Sequence, residues 1–161
     1  MKVYELHREQ WIPAPPERVF PFFADAHNLE RITPPWLGFR ILTPGPIEIE
    51  VGTRIEYALR LAGVPLRWRT RIAEWKPGES FVDTQERGPY ALWEHHHHFR
   101  PLGSGVHMTD LVRYALPLGW LGRVAHRVAV RAALDAIFDH RAREIRGLFP
   151  SPAAALPDRV S

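Results

Sequence analysis

The last long stretch of the chain, from Trp120 to Phe149, has the spacing of an amphipathic helix. Apolar residues recur there mostly three or four positions apart: Val124, Val128, Val130, Leu134, Ile137, Phe138, Ile145 and Leu148. Gly119 precedes the stretch, and Gly147 and Pro150 mark its end, which predicts one uninterrupted helix of about 28 residues. At about 1.5 Å per residue it would be about 40 Å long, so it needs a curved partner along its whole length.

The beginning of the chain predicts one strand and two short helices. Polar and apolar residues alternate from Val3 to Ile12, which is typical of a strand. Prolines at Pro15 and Pro16 with Glu17 beside them are typical of a first helical turn. A second short helical segment covers His27 to Ile32.

Between these helices and the last one, glycines and prolines punctuate the chain at regular intervals. The segments between them are rich in β-branched or aromatic residues: Phe39 to Leu42, Arg54 to Leu61, Leu66 to Trp75, Ser80 to Arg87, Ala91 to Arg100 and Val106 to Leu116. This spacing predicts six further strands in an antiparallel meander. The predicted class is therefore α+β: a curved seven-stranded antiparallel sheet wrapped around a long C-terminal helix, with two short helices after the first strand.

Composition fits one globular domain with a substantial core. The chain has 161 residues, of which 45% are hydrophobic and 24% charged. We expect a single domain over residues 1–150, followed by a flexible tail at 151–161 that is rich in proline and alanine. There is no cysteine, which excludes disulfides, thiolate catalysis and cysteine-ligated metals.

Charge and hydropathy restrict the classes of partner that the protein is expected to bind and the cellular compartment in which it is expected to lie. No segment has the apolar run of a signal peptide or a membrane span, so we expect a cytoplasmic protein without stable membrane insertion. The net charge is only +3 and the basic residues are dispersed, so we expect no nucleic-acid partner. The expected oligomeric state is a monomer or a homodimer.

Alternation along Ala91 to Arg100 separates two sets of side chains. One set holds the apolar Trp93 and Phe99 together with His95 and His97; the other holds Glu94, His96, His98 and Arg100. In an antiparallel sheet covered on one side, the apolar set faces the covering helix. The same test on the flanking strands predicts further inward residues: Phe81, Asp83, Gln85, Val106, Met108, Asp110, Val112 and Tyr114.

The turns suggest a register for these strands. If Gly88 to Tyr90 form one loop and Arg100 to Gly105 the next, His95 lies opposite both Asp83 and Asp110. The three side chains would then form one row across three strands. A slip of two residues would keep the faces but break the row.

Such a row has two possible settings. Burying an unpaired polar group costs about 1 to 3 kcal/mol, so the row must be internally hydrogen-bonded or in contact with a cavity. A sealed structural network around His95 is one possibility. A partly polar cavity wall is the other, since Gln85, His97 and Tyr114 add more polar atoms than one network easily absorbs.

The run of four histidines could also bind metal. Alternation divides it into two pairs, so it is not a four-ligand cluster. An inward pair at His95 and His97 could hold two positions of a zinc or iron site with Asp83 or Asp110 as an oxygen ligand. Because two histidines alone are weak evidence, we predict no bound metal and no cofactor.

Several segments resemble the SRPBCC superfamily, which includes START and Bet v 1-like proteins and has the helix-grip fold. The similar segments are Ile12–Phe20, Asn28–Leu29, Thr33–Trp36, Phe81–Gln85, Gly88–Tyr90, Trp93–Phe99 and Asp110–Gly119. They are most similar to an uncharacterised bacterial branch grouped with polyketide cyclase/dehydrase-like proteins. The resemblance implies a deep hydrophobic cavity between sheet and terminal helix. It carries over no catalytic residues, because the superfamily shares no single catalytic set.

Two functions follow from this resemblance. The preferred one is binding or carriage of a small hydrophobic molecule (a lipid, a polyketide-like or an aromatic compound), with Asp83, His95, His97 and Asp110 fixing its polar end. The predicted wall comprises Tyr57, Trp68, Gln85, Trp93, Met108, Tyr114, Leu134 and Phe138. The alternative is a cyclase or dehydratase in which His95 is the acid/base, its pKa raised by Asp83 or Asp110.

Arg141 falls on the inward stripe of the last helix, one turn after Ile137. Its stem can lie along the rim with the charge in water, which is the common arrangement for arginine. Alternatively its guanidinium turns inward and pairs with a carboxylate or with an acid group of the ligand. The two arrangements predict opposite orientations of the side chain.

Overall fold

A seven-stranded antiparallel sheet forms most of the protein in its computed structural model, which describes residues 1–151. Its strands are β1 (Tyr4–Ile12), β2 (Arg40–Ile41), β3 (Arg54–Leu61), β4 (Val64–Lys76), β5 (Ser80–Arg87), β6 (Leu92–Leu102) and β7 (Gly105–Ala115). They pair in the order β1-β7-β6-β5-β4-β3-β2, so β1 closes the meander against its last strand. The predicted fold class is confirmed.

The helices follow β1 and β7. Helix α1 (Pro16–Ala24) begins with a proline in its first turn, as predicted, and α2 (Asn28–Ile32) follows it. A short 3-10 helix at Pro35–Leu37 was not predicted. The C-terminal helix consists of α3 (Gly119–Ala125), a π-helical turn (His126–Val130) and α4 (Arg131–Leu148).

The C-terminal helix corrects one expectation about its inward stripe. Leu134 and Phe138 in α4 are buried as predicted, but Val124 and Val128 are 52% and 76% exposed. At about 3.6 residues per turn, Val128 lies about 120° around the helix axis from Leu134, so it is off the stripe that α4 turns to the sheet. The helix therefore faces the sheet through α4 and presents apolar residues to solvent before it.

The hairpin between β6 and β7 corrects the predicted register. Leu102 pairs with Gly105, so the turn is shorter than the predicted loop and β6 extends further. Asp110 consequently lies opposite His97 rather than His95. The pairing of Asp83 with His95 is as predicted. The error is the slip of two residues that leaves every side chain on its expected face.

Buried apolar residues form three clusters on the inner side of the sheet. The first joins α1 and the end of α4 to β6 and β7 and contains Phe20, Met108 and Ile145. The second packs α4 against β1 and β7. The third lies on β3 and β4, around Tyr57 and Trp68.

Two further expectations concern a flexible C-terminal tail and the lack of a membrane-spanning segment. Most of the tail predicted at 151–161 lies outside the described residues. Within residues 1–151, no helix is both long enough and apolar enough to span a membrane.

Candidate functional site

A cavity of about 220 Å³ lies between the third cluster, helices α1 and α2, and α4. Most of its wall is aromatic or aliphatic. Nine of the residues predicted to bind a ligand line it: Tyr57, Trp68, Asp83, Trp93, His95, His97, Leu134, Phe138 and Arg141. They come from β3, β4, β5, β6 and α4, so the cavity is enclosed by the curve of the sheet and the facing helix.

Four predicted ligand contacts lie away from the cavity. Both ends of the Gln85 amide bond the backbone of Tyr90, where they hold the loop between β5 and β6. Met108 belongs to the first apolar cluster. Tyr114 is fully buried, and its hydroxyl lies 2.9 Å from Nε2 of His126. Asp110 lies behind the two inward histidines and contacts them without lining the cavity.

Much of the apolar wall was not predicted from the sequence. The additional residues include Phe22, Phe23, Leu29, Ile32, Leu37, Phe39, Ile49, Ile55, Leu59, Leu61, Ile72, Trp75, Phe81 and Tyr90. The aromatic run in α1 was a detectable signal, since it is more apolar than a short surface helix needs. Ile49 lies in the segment between β2 and β3, which has no periodicity that predicts an inward direction.

Asp110 accepts hydrogen bonds from both inward histidines. Its Oδ1 atom lies 2.9 Å from Nε2 of His95 and 3.1 Å from Nδ1 of His97. An ionised carboxylate can only accept, so each of these ring nitrogens carries a proton. Nη2 of Arg141 lies 3.4 Å from the same oxygen. Burial opposes the charge on Asp110, but Arg141 and the two histidines hold the pKa of its carboxyl well below the usual range.

Asp83 faces the opposite edges of the same two rings. Its Oδ2 atom lies 2.9 Å from Nε2 of His97 and 3.7 Å from Nδ1 of His95. The ring centroids of His95 and His97 are 3.7 Å apart. The two imidazoles therefore lie side by side between two carboxylates, with Asp110 behind them and Asp83 at the cavity.

The two histidines have opposite electrostatic environments. Burial and the neighbouring His97 lower the pKa of His95 to about 4, although its carboxylate neighbours act in the opposite direction. Burial also disfavours charge on His97, but its hydrogen bonds to Asp110 and Asp83 outweigh burial and raise its pKa. His95 is neutral near pH 7 and donates its N–H to Asp110. This differs from the raised pKa that the general-acid alternative required.

Arg141 is turned inward. Only 8% of its surface is exposed, and the guanidinium lies over the rings of Phe23 and Phe138 at 5.6 and 5.9 Å from their centroids. The arrangement with the charge in water is therefore wrong, and pairing with an inward carboxylate is correct. Its buried Nε–H has no hydrogen-bond partner among residues 1–151.

The remaining polar groups on the wall mostly bond locally. Asn28 donates to the carbonyl of Phe22, and Thr33 donates to the carbonyl of Leu29. Thr70 accepts from the indole of Trp68. The cluster of Asp83, His95, His97 and Arg141 is thus the concentrated polar feature of an otherwise apolar wall.

The sheet, the enclosing helix and this cavity define a helix-grip protein with an internal apolar site. A family model described as polyketide cyclase / dehydrase and lipid transport matches residues 12–138, so the chain belongs to that family. The resemblance to the SRPBCC superfamily is confirmed. The description covers enzymes and transport, so membership supports hydrophobic ligand binding in general without choosing between catalysis and carriage.

Solved structures share the fold at low sequence identity. A protein from Thermus thermophilus is 20% identical with a TM-score of 0.64, and the match covers 90% of this chain and 99% of the other. Major latex-like protein 151 from Panax ginseng is 15% identical with a TM-score of 0.67, over 92% and 98%. A protein from Chromobacterium violaceum is 18% identical with a TM-score of 0.68, over 91% and 96%. No curated protein matches the chain.

Proposed function

We propose that this protein binds and carries one compact hydrophobic molecule that has a polar group at one end. The observation that carries the proposal is the apolar cavity with its concentrated polar cluster. Apolar walls supply affinity through burial, and a few convergent polar groups orient the molecule. Membership of a family described partly by lipid transport supports the same class of ligand.

The size of the cavity favours a small occupant. Its volume of about 220 Å³ is below the lower end, about 300 Å³, of pockets that enclose drug-sized molecules. A one- or two-ring aromatic compound or a short acyl chain fits this space better than a sterol. Trp68 packs edge-on against Trp93 and Tyr90 at one side of the wall, and these rings offer aromatic surfaces to such a molecule.

The free polar atoms favour a hydroxyl as the polar group. Neutral His95 offers an unprotonated Nδ1, because its N–H is donated to Asp110. The charged guanidinium of Arg141 also borders the cavity. A hydroxyl can donate to the first and accept from the second, whereas a carboxylate would lie beside the charged Asp83. A phenol or alcohol is therefore the expected ligand class.

The first experiment looks for the natural occupant. Native mass spectrometry of the protein, purified from its own source without detergent, should show a species heavier than the chain by one small organic molecule. Extraction with solvent should release that molecule and return the mass to that of the chain. A mass equal to that of the chain in every preparation would count against carriage in the cell.

The second experiment uses 2-naphthol as a defined two-ring probe in isothermal titration calorimetry. Ile137 lines the cavity, so Ile137→Trp should occupy part of the space and weaken binding about tenfold or more. The matched control is Val128→Trp, in the same helix at a position 76% exposed, which should leave binding unchanged. Equal effects of the two substitutions, in variants that keep the native circular dichroism spectrum, would place the probe outside the cavity.

A further inference from the structure

Three atoms that can act as metal ligands converge at the polar end of the cavity. They belong to Asp83, His95 and His97, which each offer one ligand atom within 4.8 Å of the others. The atoms that face one another are Oδ2 of Asp83, Nδ1 of His95 and Nε2 of His97. The Asp83 oxygen is 2.9 Å from the His97 nitrogen and 3.7 Å from the His95 nitrogen. A proton between Asp83 and His97 satisfies one of these contacts. A cation at the centre of the triangle would satisfy all of them.

From this convergence we propose that Asp83, His95 and His97 bind a divalent transition metal ion. Two imidazoles and one carboxylate form a donor set that suits Zn²⁺ and Fe²⁺. Nitrogen and oxygen ligands lie about 2.0 to 2.2 Å from Zn²⁺, so neighbouring ligands in a tetrahedral site are about 3 to 3.5 Å apart. The distances of 2.9 and 3.7 Å from Asp83 to the two rings come close to this spacing.

Asp110 supplies the supporting contact that metal-binding histidines usually have. Such a histidine donates its other ring N–H to a carboxylate, which fixes the ring and makes the ligating nitrogen more basic. Oδ1 of Asp110 occupies this position for both rings at once, 2.9 Å from His95 and 3.1 Å from His97. The nitrogens opposite these contacts are the two that face Asp83. Asp110 thus orients both candidate ligands toward one point.

Charge and burial agree with this assignment. A bound metal ion would displace the proton between His97 and Asp83; with both rings then neutral, the carboxylates of Asp83 and Asp110 against the single guanidinium of Arg141 leave one negative charge, which favours a cation. His95 and His97 are 6% and 4% exposed, so their positions are fixed by packing. Asp83, His95 and His97 also line the cavity, which leaves a coordination position on the cavity side. Because the metal ion and a ligand hydroxyl would use the same lone pair on Nδ1 of His95, the metal titration is made without an organic ligand.

The test compares the inward histidine pair with the outward pair on the same strand. Untagged, chelator-treated protein is titrated with Zn²⁺ by calorimetry, and binding of one ion per chain is expected. The double variant His96→Asn/His98→Asn should bind equally well, because these residues lie on the other face of β6. Asp83→Asn or His95→Asn should weaken binding about 100-fold or more, since loss of even an outer-shell partner costs about 10- to 100-fold.

A measurement on the unmodified chain covers the case in which an inward variant fails to fold. Addition of Zn²⁺ should shift the imidazole ¹⁵N resonances of Nδ1 in His95 and Nε2 in His97 and leave those of His96 and His98 in place. Absence of Zn²⁺ binding to the wild type would overturn the proposal. Binding that the His96→Asn/His98→Asn variant abolishes, or that leaves the His95 and His97 resonances unshifted, would do the same.

Discussion

His95 and His97 share strand β6 with His96 and His98, but the two pairs have different surroundings. The inward pair is buried between Asp83 and Asp110 and borders the cavity. On the opposite face of the sheet, His96 is half-buried and His98 is exposed. The side chains are chemically identical, so the alternation of the strand alone assigns one pair to an ionic cluster and the other to the outer surface.

This comparison shows how a sheet builds a polar site inside an apolar core. Each inward histidine is adjacent to both carboxylates, and Asp110 is in turn paired with Arg141. Charges are tolerated at this depth because each has a partner. In the outer pair, His98 is exposed to water, whereas Nε2 of His96 is buried without a hydrogen-bond partner among residues 1–151. Substitutions on the two faces should therefore have unequal consequences.

The largest expected effect is that of Asp110→Ala. Removing one partner of a buried ionic network leaves Arg141 and His95 without their nearest carboxylate, which should lower the free energy of unfolding by about 3 to 5 kcal/mol. Urea denaturation measures the change. The matched control is Thr109→Ala, the preceding residue on the other face, expected within about 1 kcal/mol of wild type. Similar losses in both variants would contradict the difference between the faces.

The second effect concerns pH and the lowered pKa of His95. Between about pH 6.5 and 4, the unfolded chain binds a proton at His95 that the folded chain does not, so stability falls as pH decreases. His97 has a raised pKa and acts in the opposite sense; its contribution is present below about pH 6.5 and is lost as pH rises through its folded pKa. Asp83, Asp110 and Arg141 are the charged groups that face these rings.

Urea denaturation of chelator-treated protein across this range measures the effect. One such group changes the free energy of unfolding by at most about 1.4 kcal/mol per pH unit. His95→Asn should flatten the dependence below pH 6.5, whereas His98→Asn should keep the wild-type slope. Identical slopes for all three proteins would show that His95 takes up its proton in the folded state as readily as in the unfolded state.

The smallest effect is expected from His98→Ala. The side chain is exposed and forms no part of the buried cluster, so the free energy of unfolding should change by about 0.5 kcal/mol or less. Thermal denaturation is sufficient to check this. A destabilisation comparable to that of Asp110→Ala would mean that side chains on the outer face of β6 stabilise the fold as strongly as the buried cluster does.

The sequence predicted which side chains face inward, because alternate residues of a strand share a face and a register error of two residues leaves that assignment unchanged. His95, His97 and Asp110 were placed inward correctly, although Asp110 lies opposite His97 and not His95. The register depended on the length of the turn between β6 and β7, and the residue types in that turn do not determine its length. Even so, the diagonal contact from His95 to Asp110, 2.9 Å long, preserves the predicted pairing of side chains.

The position of the cavity was harder to predict than the faces. Met108 and Tyr114 satisfy every sequence criterion for inward wall residues but belong to solid core clusters. Which inward residues border open space depends on the distance between α4 and each strand, and periodicity carries no information about that distance. The exposed Val124 and Val128 illustrate the same limit, because the presence of apolar residues does not show where along the helix its contact with the sheet begins.

The most direct test of the central claim is the imidazole ¹H–¹⁵N spectrum of chelator-treated protein during titration with 2-naphthol. A molecule bound in the cavity with its hydroxyl at the polar cluster should shift the resonances of His95 and His97 and leave His96 and His98 unchanged. Saturable binding that leaves the inward pair unshifted, or shifts both pairs equally, would contradict the assignment of the cavity as the binding site.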